Sequence, residues 1–138
     1  MGLPPYMVAE ATTLVVAQRL VKTLCPKCKY DFKPDPEVLL ELGIPEEALG
    51  SFSTLYKADG CASCNNTGAK GRAPVFEVLN FKGNIIDAIV KGLSAKEIKR
   101  IAVFENGMKS LRMNALVKLQ QGLTSIEQVI NVTVKDDL

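Results

Sequence analysis

The four cysteines of this 138-residue chain lie in two short stretches, Cys25-Pro26-Lys27-Cys28 and Cys61-Ala62-Ser63-Cys64. Two residues separate the cysteines of each pair, so one tight turn can direct both sulfurs towards a common point. Two such turns can close a tetrahedral cage of thiolates that leaves no coordination position for water or substrate. We therefore predict one structural zinc ion, bound by Cys25, Cys28, Cys61 and Cys64.

Two other uses of paired cysteines stay open in the sequence. A redox pair of the thioredoxin type needs a strand before the motif and a helix after it, whereas the first pair here follows a stretch that we interpret as helical. Two disulfide bonds would suit a secreted protein, but the N-terminus does not resemble a secretory signal, and reducing compartments disfavour structural disulfides. Spacing and context together favour zinc.

Composition indicates one domain with enough apolar residues, 47%, to bury a core. The formal charge is +2, from 17 basic and 15 acidic residues, and four thiolates with one zinc ion would bring it to about zero. We therefore expect no nucleic-acid partner. The chain has no histidine and no run of about 20 apolar residues, so we expect a cytoplasmic domain without membrane insertion.

The first segment, residues 1–24, contains a run from Tyr6 to Leu24 that has no glycine or proline and predicts a helix of about five turns. Its apolar residues fall on three sides of that helix, so most of its surface must be buried. Two interpretations stay open: a central core helix of this domain, or a helix that is partly covered by protein outside this sequence.

The middle segment, residues 25–79, is interpreted as the tetracysteine module. Asp35-Pro36 and Gly43 predict the start and the end of a short helix over residues 37–42. Phe52, Leu55 and Tyr56 are expected to form a strand, whose Leu55 to Tyr56 part pairs with a second strand, Val75 to Leu79, in a small ribbon beside the metal. Between the two strands, residues 65–72 are rich in asparagine and glycine, which tolerate positive φ and predict tight turns. Four lysines surround the first cysteine pair, and we expect them to offset the negative charge of a zinc–thiolate centre. They are Lys22, Lys27, Lys29 and Lys33.

The last segment, residues 80–138, has a helical pattern. Asn84 to Lys91 predicts one helix, and the capping box Ser94 to Glu97 opens another, which ends at Gly107. Apolar residues then recur at helical spacing up to Gly122, and a second capping box is predicted at Thr124 to Glu127. The expected fold class is therefore α+β: mainly helical, with a small zinc-stapled antiparallel ribbon.

Several motifs, in order and spacing, resemble the C-terminal region of the type II secretion and type IV pilus assembly ATPases. They are Ala17-Gln18-Arg19-Leu20-Val21, Leu24-Cys25-Pro26-x-Cys28, Gly60-Cys61-x-x-Cys64, Thr67-Gly68-x-Lys70-Gly71-Arg72, Phe76-Glu77-Val78-Leu79, Gly107-Met108-x-x-Leu111 and Gly122-Leu123-Thr124-Ser125-x-Glu127-x-Val129. Members of this family are cytoplasmic hexameric motors at the inner membrane that hydrolyse ATP to extend a pilus or pseudopilus.

The resemblance implies a zinc-binding part of such a motor with a structural and protein-interaction role. Its expected partners are the rest of the parent ATPase, neighbouring subunits and the inner-membrane platform protein, and the segment 1–24 would pack on the ATPase core. The sequence contains no G-x-x-x-x-G-K-[ST] phosphate-binding motif, so no ATP hydrolysis is expected from this chain alone.

Some positions limit the comparison with the family. Where the family often has an acidic residue and glycine after the arginine of the late helix, this sequence has Arg112-Met113-Asn114-Ala115, and Ala73-Pro74 replaces a small-residue and glycine step. Arg19 and Arg72 match family positions, which leaves open an intersubunit or nucleotide-proximal role beside surface salt bridges.

Two alternative functions also stay open. One is a chaperone-type zinc domain, suggested faintly by Cys61-x-x-Cys64-x-x-Thr67-Gly68. The other is a thiol-disulfide oxidoreductase, which would need an exposed cysteine of lowered pKa.

Overall fold

A computed structural model describes residues 2–138, and these contain six α-helices and four β-strands. Met1, with which the first predicted segment begins, lies outside the described residues. The elements in chain order are α1 Pro5–Ala11, β1 Leu14–Leu24, β2 Lys29–Phe32, α2 Pro36–Leu42, β3 Leu55–Ala58, β4 Ala69–Asn80, α3 Gly83–Val90, α4 Ala95–Asn106, α5 Leu111–Gln120 and α6 Ile126–Val132, with 3-10 helices at Glu46–Phe52 and Ala62–Cys64. The predicted α+β class is confirmed, and no described helix is long and apolar enough to cross a membrane.

The long helix predicted for Tyr6 to Leu24 is wrong. Only α1 is helical in this stretch, and residues 14–24 form the strand β1. The segment contains Val15, Val16, Val21 and Thr23, whose branched Cβ atoms favour extended backbone. The apolar residues would lie on three sides of a helix because their spacing does not match a single helical face.

The strands form two separate two-stranded sheets, β1 with β4 and β2 with β3. β2 and β3 are antiparallel, with Tyr30 opposite Lys57 and Phe32 opposite Leu55. At the two ends of the other pair, the amide of Phe81 donates to the carbonyl of Thr13 and the amide of Cys25 to that of Gly68. These two bonds show that β1 and β4 also run in opposite directions.

The predicted pairing between Leu55–Tyr56 and Val75–Leu79 is therefore wrong. β3 pairs instead with β2, and β4 pairs with β1. Phe52, which was predicted in the same strand as Leu55, ends the 3-10 helix Glu46–Phe52. Local pattern indicates which residues are extended, but it does not state which strand is the partner. The outcome is two ribbons rather than one.

By packing, the described residues form two compact units that do not follow the predicted segment boundaries. Residues 18–75 and 111–136 form what we call the cysteine unit, and residues 2–17, 76–110 and 137–138 form the flanking unit. The functional division at residues 24 and 79 stays a prediction.

The core of the cysteine unit is a single cluster of buried apolar side chains from strands, helices and loops. Its members are Val21, Leu39, Leu42, Ile44, Phe52, Leu55, Val75, Ala115, Leu116, Leu119 and Val129. Arg112 is also buried here, and its guanidinium donates to the carbonyls of Leu42 and Thr133 and to the Thr133 hydroxyl. Arg112 therefore joins α2, α5 and the segment after α6.

In the flanking unit, helix ends follow the sequence signals. α3 covers the predicted helix, and the capping box of Ser94 and Glu97 opens α4, which ends at Gly107 in left-handed conformation.

The second predicted capping box, which belongs to α6 in the cysteine unit, is wrong. Ser125 caps α6 by accepting from the amide of Gln128, and Thr124 instead donates to the carbonyl of Lys22 on β1.

Candidate metal centre

The two cysteine pairs occupy the two connections between the ribbons. Cys25 follows β1 directly and Cys28 precedes β2, while Cys61 comes three residues after β3 and Cys64 closes the short 3-10 helix before β4. Pairing of β2 with β3 brings Cys28 towards Cys61, and pairing of β1 with β4 brings Cys25 towards Gly68. The strand topology therefore brings all four cysteines to one place.

The four sulfurs have the separations of a tetrahedral thiolate site. The Sγ atoms of Cys25 and Cys61, of Cys28 and Cys64, and of Cys61 and Cys64 are each 3.8 Å apart, and all four Sγ atoms lie within 4.8 Å of one another. Zinc–sulfur bonds of about 2.3 Å in tetrahedral geometry require sulfurs about 3.8 Å apart. No disulfide joins them, since all four cysteines are free. The donor set and its spacing therefore fit a zinc ion.

Backbone amides point at three of the sulfurs. The amides of Cys61 and Gly68 both donate to Sγ of Cys64 over 3.2 Å. The amides of Lys27 and Cys28 donate to Cys25, and the amide of Gly60 donates to Cys28. Such bonds orient thiolate ligands and stabilise their negative charge. The turns therefore both position the sulfurs and stabilise them as thiolates.

The thiol pKa values diverge because the four groups share one small volume. Burial raises the pKa of Cys64, but the amides of Cys61 and Gly68 outweigh it and lower that pKa to about 6. Cys25 behaves similarly: burial raises its pKa, and the amides of Lys27 and Cys28 lower it below the ordinary value. Burial raises the pKa of Cys28 to about 12, aided by its sulfur neighbours. Protein groups alone thus favour the thiolate of Cys64 and oppose that of Cys28, so a cation is needed to hold all four cysteines as thiolates.

The chain around the second pair turns through residues in left-handed conformation. Asn65 and Asn66 have φ of 56° and 61°, and Gly60 and Gly68 have φ of 107° and 74°. A Cβ atom on Gly60 would lie 2.7 Å from the carbonyl oxygen of Asn66, and one on Gly68 would lie 2.7 Å from that of Ala58. Both glycines are therefore required by close backbone approach as well as by φ.

Gly68 connects the two cysteine pairs directly. Its amide donates to the sulfur of Cys64, and its carbonyl accepts from the amide of Cys25. The hydroxyl of Thr67 bonds the carbonyls of Cys64 and Ala69 on either side. The tight-bending sequence after the second pair is thus part of the site, as its Asn and Gly content indicated.

A brace from the α5–α6 loop was missed by the sequence analysis. The amide of Leu24 donates to the carbonyl of Leu123, and the amide of Lys22 donates to the side-chain oxygen of Gln128. The buried hydroxyl of Thr124 donates to the carbonyl of Lys22. The α5–α6 loop and the first turn of α6 therefore support the end of β1 just before Cys25. No local signal predicts these bonds, which join residues about a hundred positions apart.

The lysines around the site have individual partners. The ammonium of Lys29 donates to the carbonyl of Gly122 and lies 5.1 Å from the centre of the Tyr56 ring. Lys70 donates to the hydroxyl of Ser63 between the second pair of cysteines, and Lys57 lies 4.8 Å from the ring centre of Phe32. That the predicted lysines offset thiolate charge stays a prediction.

Arg19 and Arg72 do not form the predicted surface salt bridges with any carboxylate among the described residues. Arg19 donates to the carbonyl of its neighbour Gln18. Arg72 lines a cleft of about 240 Å³ together with Lys22, Thr67, Ala69 and Gly71. Their roles in an assembly stay open.

The elements on either side of each cysteine pair differ from those of a thioredoxin-like redox motif. The first cysteine pair follows the strand β1, not a helix, so a strand does precede it. The element after the pair is nevertheless the strand β2, and the second pair is followed by the strand β4. A thioredoxin-like setting requires a helix there. In the described chain, neither pair has it.

Comparison with known proteins gives a consistent result. The family model described as "Type II/IV secretion system protein" matches residues 1–131. The chain is 39% identical over 137 residues to the type IV pilus assembly ATPase PilB of Myxococcus xanthus, covering 99% of this chain and 24% of that protein. It is 44% identical over 135 residues to PilB of Thermus thermophilus, covering 98% and 15%. With the type II secretion system ATPase E of Vibrio cholerae it shares 34% over 136 residues, covering 96% and 25%.

Proposed function

The chain belongs to the type II/IV secretion system protein family, and on that premise we propose that it is a zinc-binding module of a type IV pilus assembly or type II secretion ATPase. Its role in the motor is structural and protein-interacting. The tetrahedral spacing of the four cysteine sulfurs is the observation that carries this proposal. The type of motor in this proposal is inferred from the names of the relatives. The chain spans a quarter or less of the length of each relative compared above.

Zinc would be held by Cys25, Cys28, Cys61 and Cys64. A four-thiolate site supplies no open position for a reacting water, so the ion stabilises the fold and carries no reaction. The chain's own groups support this use: two buried sulfurs, Cys25 and Cys64, accept two backbone amides each. They hold the ends of β1 and β4 beside the ends of β2 and β3.

We propose that this chain does not hydrolyse ATP by itself. Its sequence lacks the G-x-x-x-x-G-K-[ST] motif, whose backbone amides and lysine bind phosphates in P-loop enzymes. The relatives named as ATPases are at least about four times longer, which leaves room for a nucleotide-binding region in a parent protein. A cytoplasmic location follows from the same proposal.

The partner that we propose first is the remainder of a longer ATPase chain. On the flanking unit's part of the β1–β4 ribbon, several large apolar side chains are exposed: Leu14, Val15 and Val16 on β1, Phe76 and Val78 on β4. Exposed apolar patches of this kind are typical of protein contacts. Neighbouring subunits and the inner-membrane platform protein are the further partners that we propose.

Metal analysis combined with thiol labelling tests the proposed function. We expect about one zinc ion per chain and no thiol that reacts quickly with a labelling reagent until a chelator is added. Protein purified in zinc-containing medium that holds no metal and has two or more reactive thiols would contradict the structural site and favour a redox role. Turnover of ATP above background by the pure chain would contradict the second part of the proposal.

A further inference from the structure

A small basic cleft lies beside the candidate metal centre. Lys22 on β1 and Arg72 on β4 line it with Thr67, Ala69 and Gly71, and its volume is about 240 Å³. The two residues are 50 positions apart in sequence and line the same cleft because β1 pairs with β4. All five lining residues belong to the cysteine unit.

The two cations have no acidic partner of their own. Among the described side chains, no carboxylate lies within salt-bridge distance of Lys22 or Arg72. The ammonium of Lys70, by contrast, donates a hydrogen bond to the hydroxyl of Ser63. Two positive charges at one cleft both attract an anion, so the arrangement favours binding of a negative group.

The neighbouring surface restricts where that anion can bind. A larger cleft of about 390 Å³ also includes Lys22, Thr67 and Ala69, but Asp59 and Glu127 line it together with Lys57. Those carboxylates balance the charge on that side of Lys22. On the side that Arg72 and Gly71 line, no carboxylate of the described residues is present, so negative charge is favoured there.

The walls of the cleft are held in place by the cysteine turns. The hydroxyl of Thr67 donates to the carbonyls of Cys64 and Ala69. Gly71 has φ of 89°, and a Cβ there would lie 3.1 Å from the hydroxyl oxygen of Thr23. A planar guanidinium and an ammonium on such fixed strands suit phosphate oxygens, which accept several charge-assisted hydrogen bonds at once.

We propose that Lys22 and Arg72 form a binding site for a phosphate group. The group can belong to a soluble phosphate compound or to the headgroup of an anionic lipid, since both present the same oxygens. The site is separate from the metal ligands, and it does not depend on the proposed role in a motor.

Pyrophosphate added to the zinc-loaded protein tests the soluble form of the ligand, with amide NMR shifts as the measurement. At about 0.15 M salt, where the Debye length is about 8 Å, we expect saturable shifts centred on Lys22, Gly71 and Arg72. Lys22→Gln and Arg72→Gln should each weaken binding about tenfold, the size of one lost charge-assisted hydrogen bond. Both side chains are exposed, so these variants should keep their fold and zinc content.

Arg19→Gln is the matched control. It removes one positive charge from the same strand as Lys22, and Arg19 does not line the cleft. We expect its effect to stay below about twofold, since screening limits charges outside the site. If Arg19→Gln weakens binding as much as Arg72→Gln, only general surface charge is acting and the proposal is wrong.

Co-sedimentation with vesicles tests the lipid form of the ligand. Phosphatidylglycerol vesicles should bind the protein more strongly than phosphatidylcholine vesicles if the site takes an anionic headgroup, and Arg72→Gln should reduce that preference. Preference for anionic vesicles without pyrophosphate binding would identify the lipid as the source of the phosphate. Absence of both saturable pyrophosphate shifts and vesicle preference would overturn the proposal.

Discussion

The cysteine unit and the flanking unit are stabilised in different ways. In the cysteine unit, a cluster of large buried side chains lies beside four sulfurs that join segments 36 residues apart in the chain. In the flanking unit, the buried apolar side chains that the structure describes are Ala9, Ile85, Ala88 and Ala102, of which only Ile85 is large. Local polar bonds stabilise this unit instead: a side-chain capping box begins α4, and Asn84 pairs with Asn106.

This difference indicates where one residue can have a large effect. A metal site concentrates stabilisation in four side chains, because binding of the ion contributes directly to the free energy of folding. Each helix cap, by contrast, contributes only about 1 kcal/mol of stabilisation, which is therefore spread over several residues. Substitutions at matched positions in the two units should therefore differ in size, and four predictions test this, from the largest effect to the smallest.

Loss of the metal ligands should have the largest effect. Cys25→Ser, or chelation of the wild type, should remove on the order of 10 kcal/mol of folding free energy and unfold the cysteine unit. Circular dichroism and thermal unfolding measure the change, and hydrogen exchange should show that amides of β2 and β3 lose protection before those of α3 and α4. Ala62→Ser, an exposed change inside the second pair, is the control. An unchanged melting curve after chelation would refute the role assigned to the four cysteines.

Two glycines of nearly equal φ test the close packing around the site. Gly68 has φ of 74° and a backbone oxygen 2.7 Å from the position of a Cβ, whereas Gly92 in the flanking unit has φ of 77° and no atom within 4 Å. Gly92→Ala should cost about 1 kcal/mol from backbone conformation alone. Gly68→Ala should cost about 3 kcal/mol or more and weaken metal binding, because the turn must shift. Equal losses in denaturant unfolding would show that the close approach has no energetic effect.

The buried arginine of the cysteine unit should have the third-largest effect. Arg112→Met leaves the carbonyls of Leu42 and Thr133 without their donor, at a cost of about 2 kcal/mol. The same change at exposed Arg100 on α4 should cost less than about 0.5 kcal/mol. Urea unfolding of both variants gives the comparison, and a destabilisation of Arg100→Met as large as that of Arg112→Met would contradict it.

The smallest effect is expected at a helix cap of the flanking unit. Ser94→Ala removes the hydroxyl that accepts from the amide of Glu97, and should cost about 1 kcal/mol. The loss should appear as faster hydrogen exchange in the first turn of α4. Ser53→Ala, at an exposed serine outside the α-helices, should leave stability unchanged. A loss comparable to that of Cys25→Ser would show that the contrast between the two units is wrong.

Local sequence signals predicted the elements that depend on neighbouring residues. Asp35 and Gly43 begin and end α2, and Ser94 and Gly107 begin and end α4, where the structure has them. These signals succeed because a cap acts within one helical turn. A tight turn also depends only on residues within a few positions, which is why Asn65, Asn66 and Gly68 indicated turns after the second cysteine pair.

Predictions failed where the deciding contact was distant. Residues 14–24 were interpreted as helical because they contain no helix breaker, but they are extended, with β4 as their partner. β3 and β4 were both recognised as strands and wrongly paired with each other. Thr124 was assigned to a helix cap, although its hydroxyl bonds β1. In each case a residue far along the chain competes with the local preference.

The sequence by itself determined the four cysteines, their two-residue spacing and the turn residues that follow the second pair, because a turn is specified within a few positions. It also carried the family motifs, since these are properties of the chain. Only the tertiary structure decided that β1 pairs with β4 and β2 with β3, which brings the sulfurs to tetrahedral separation and places Lys22 beside Arg72. The reason is physical: strand pairing depends on which distant partner completes the hydrogen bonds and buries the shared face, and no short stretch of sequence contains that information.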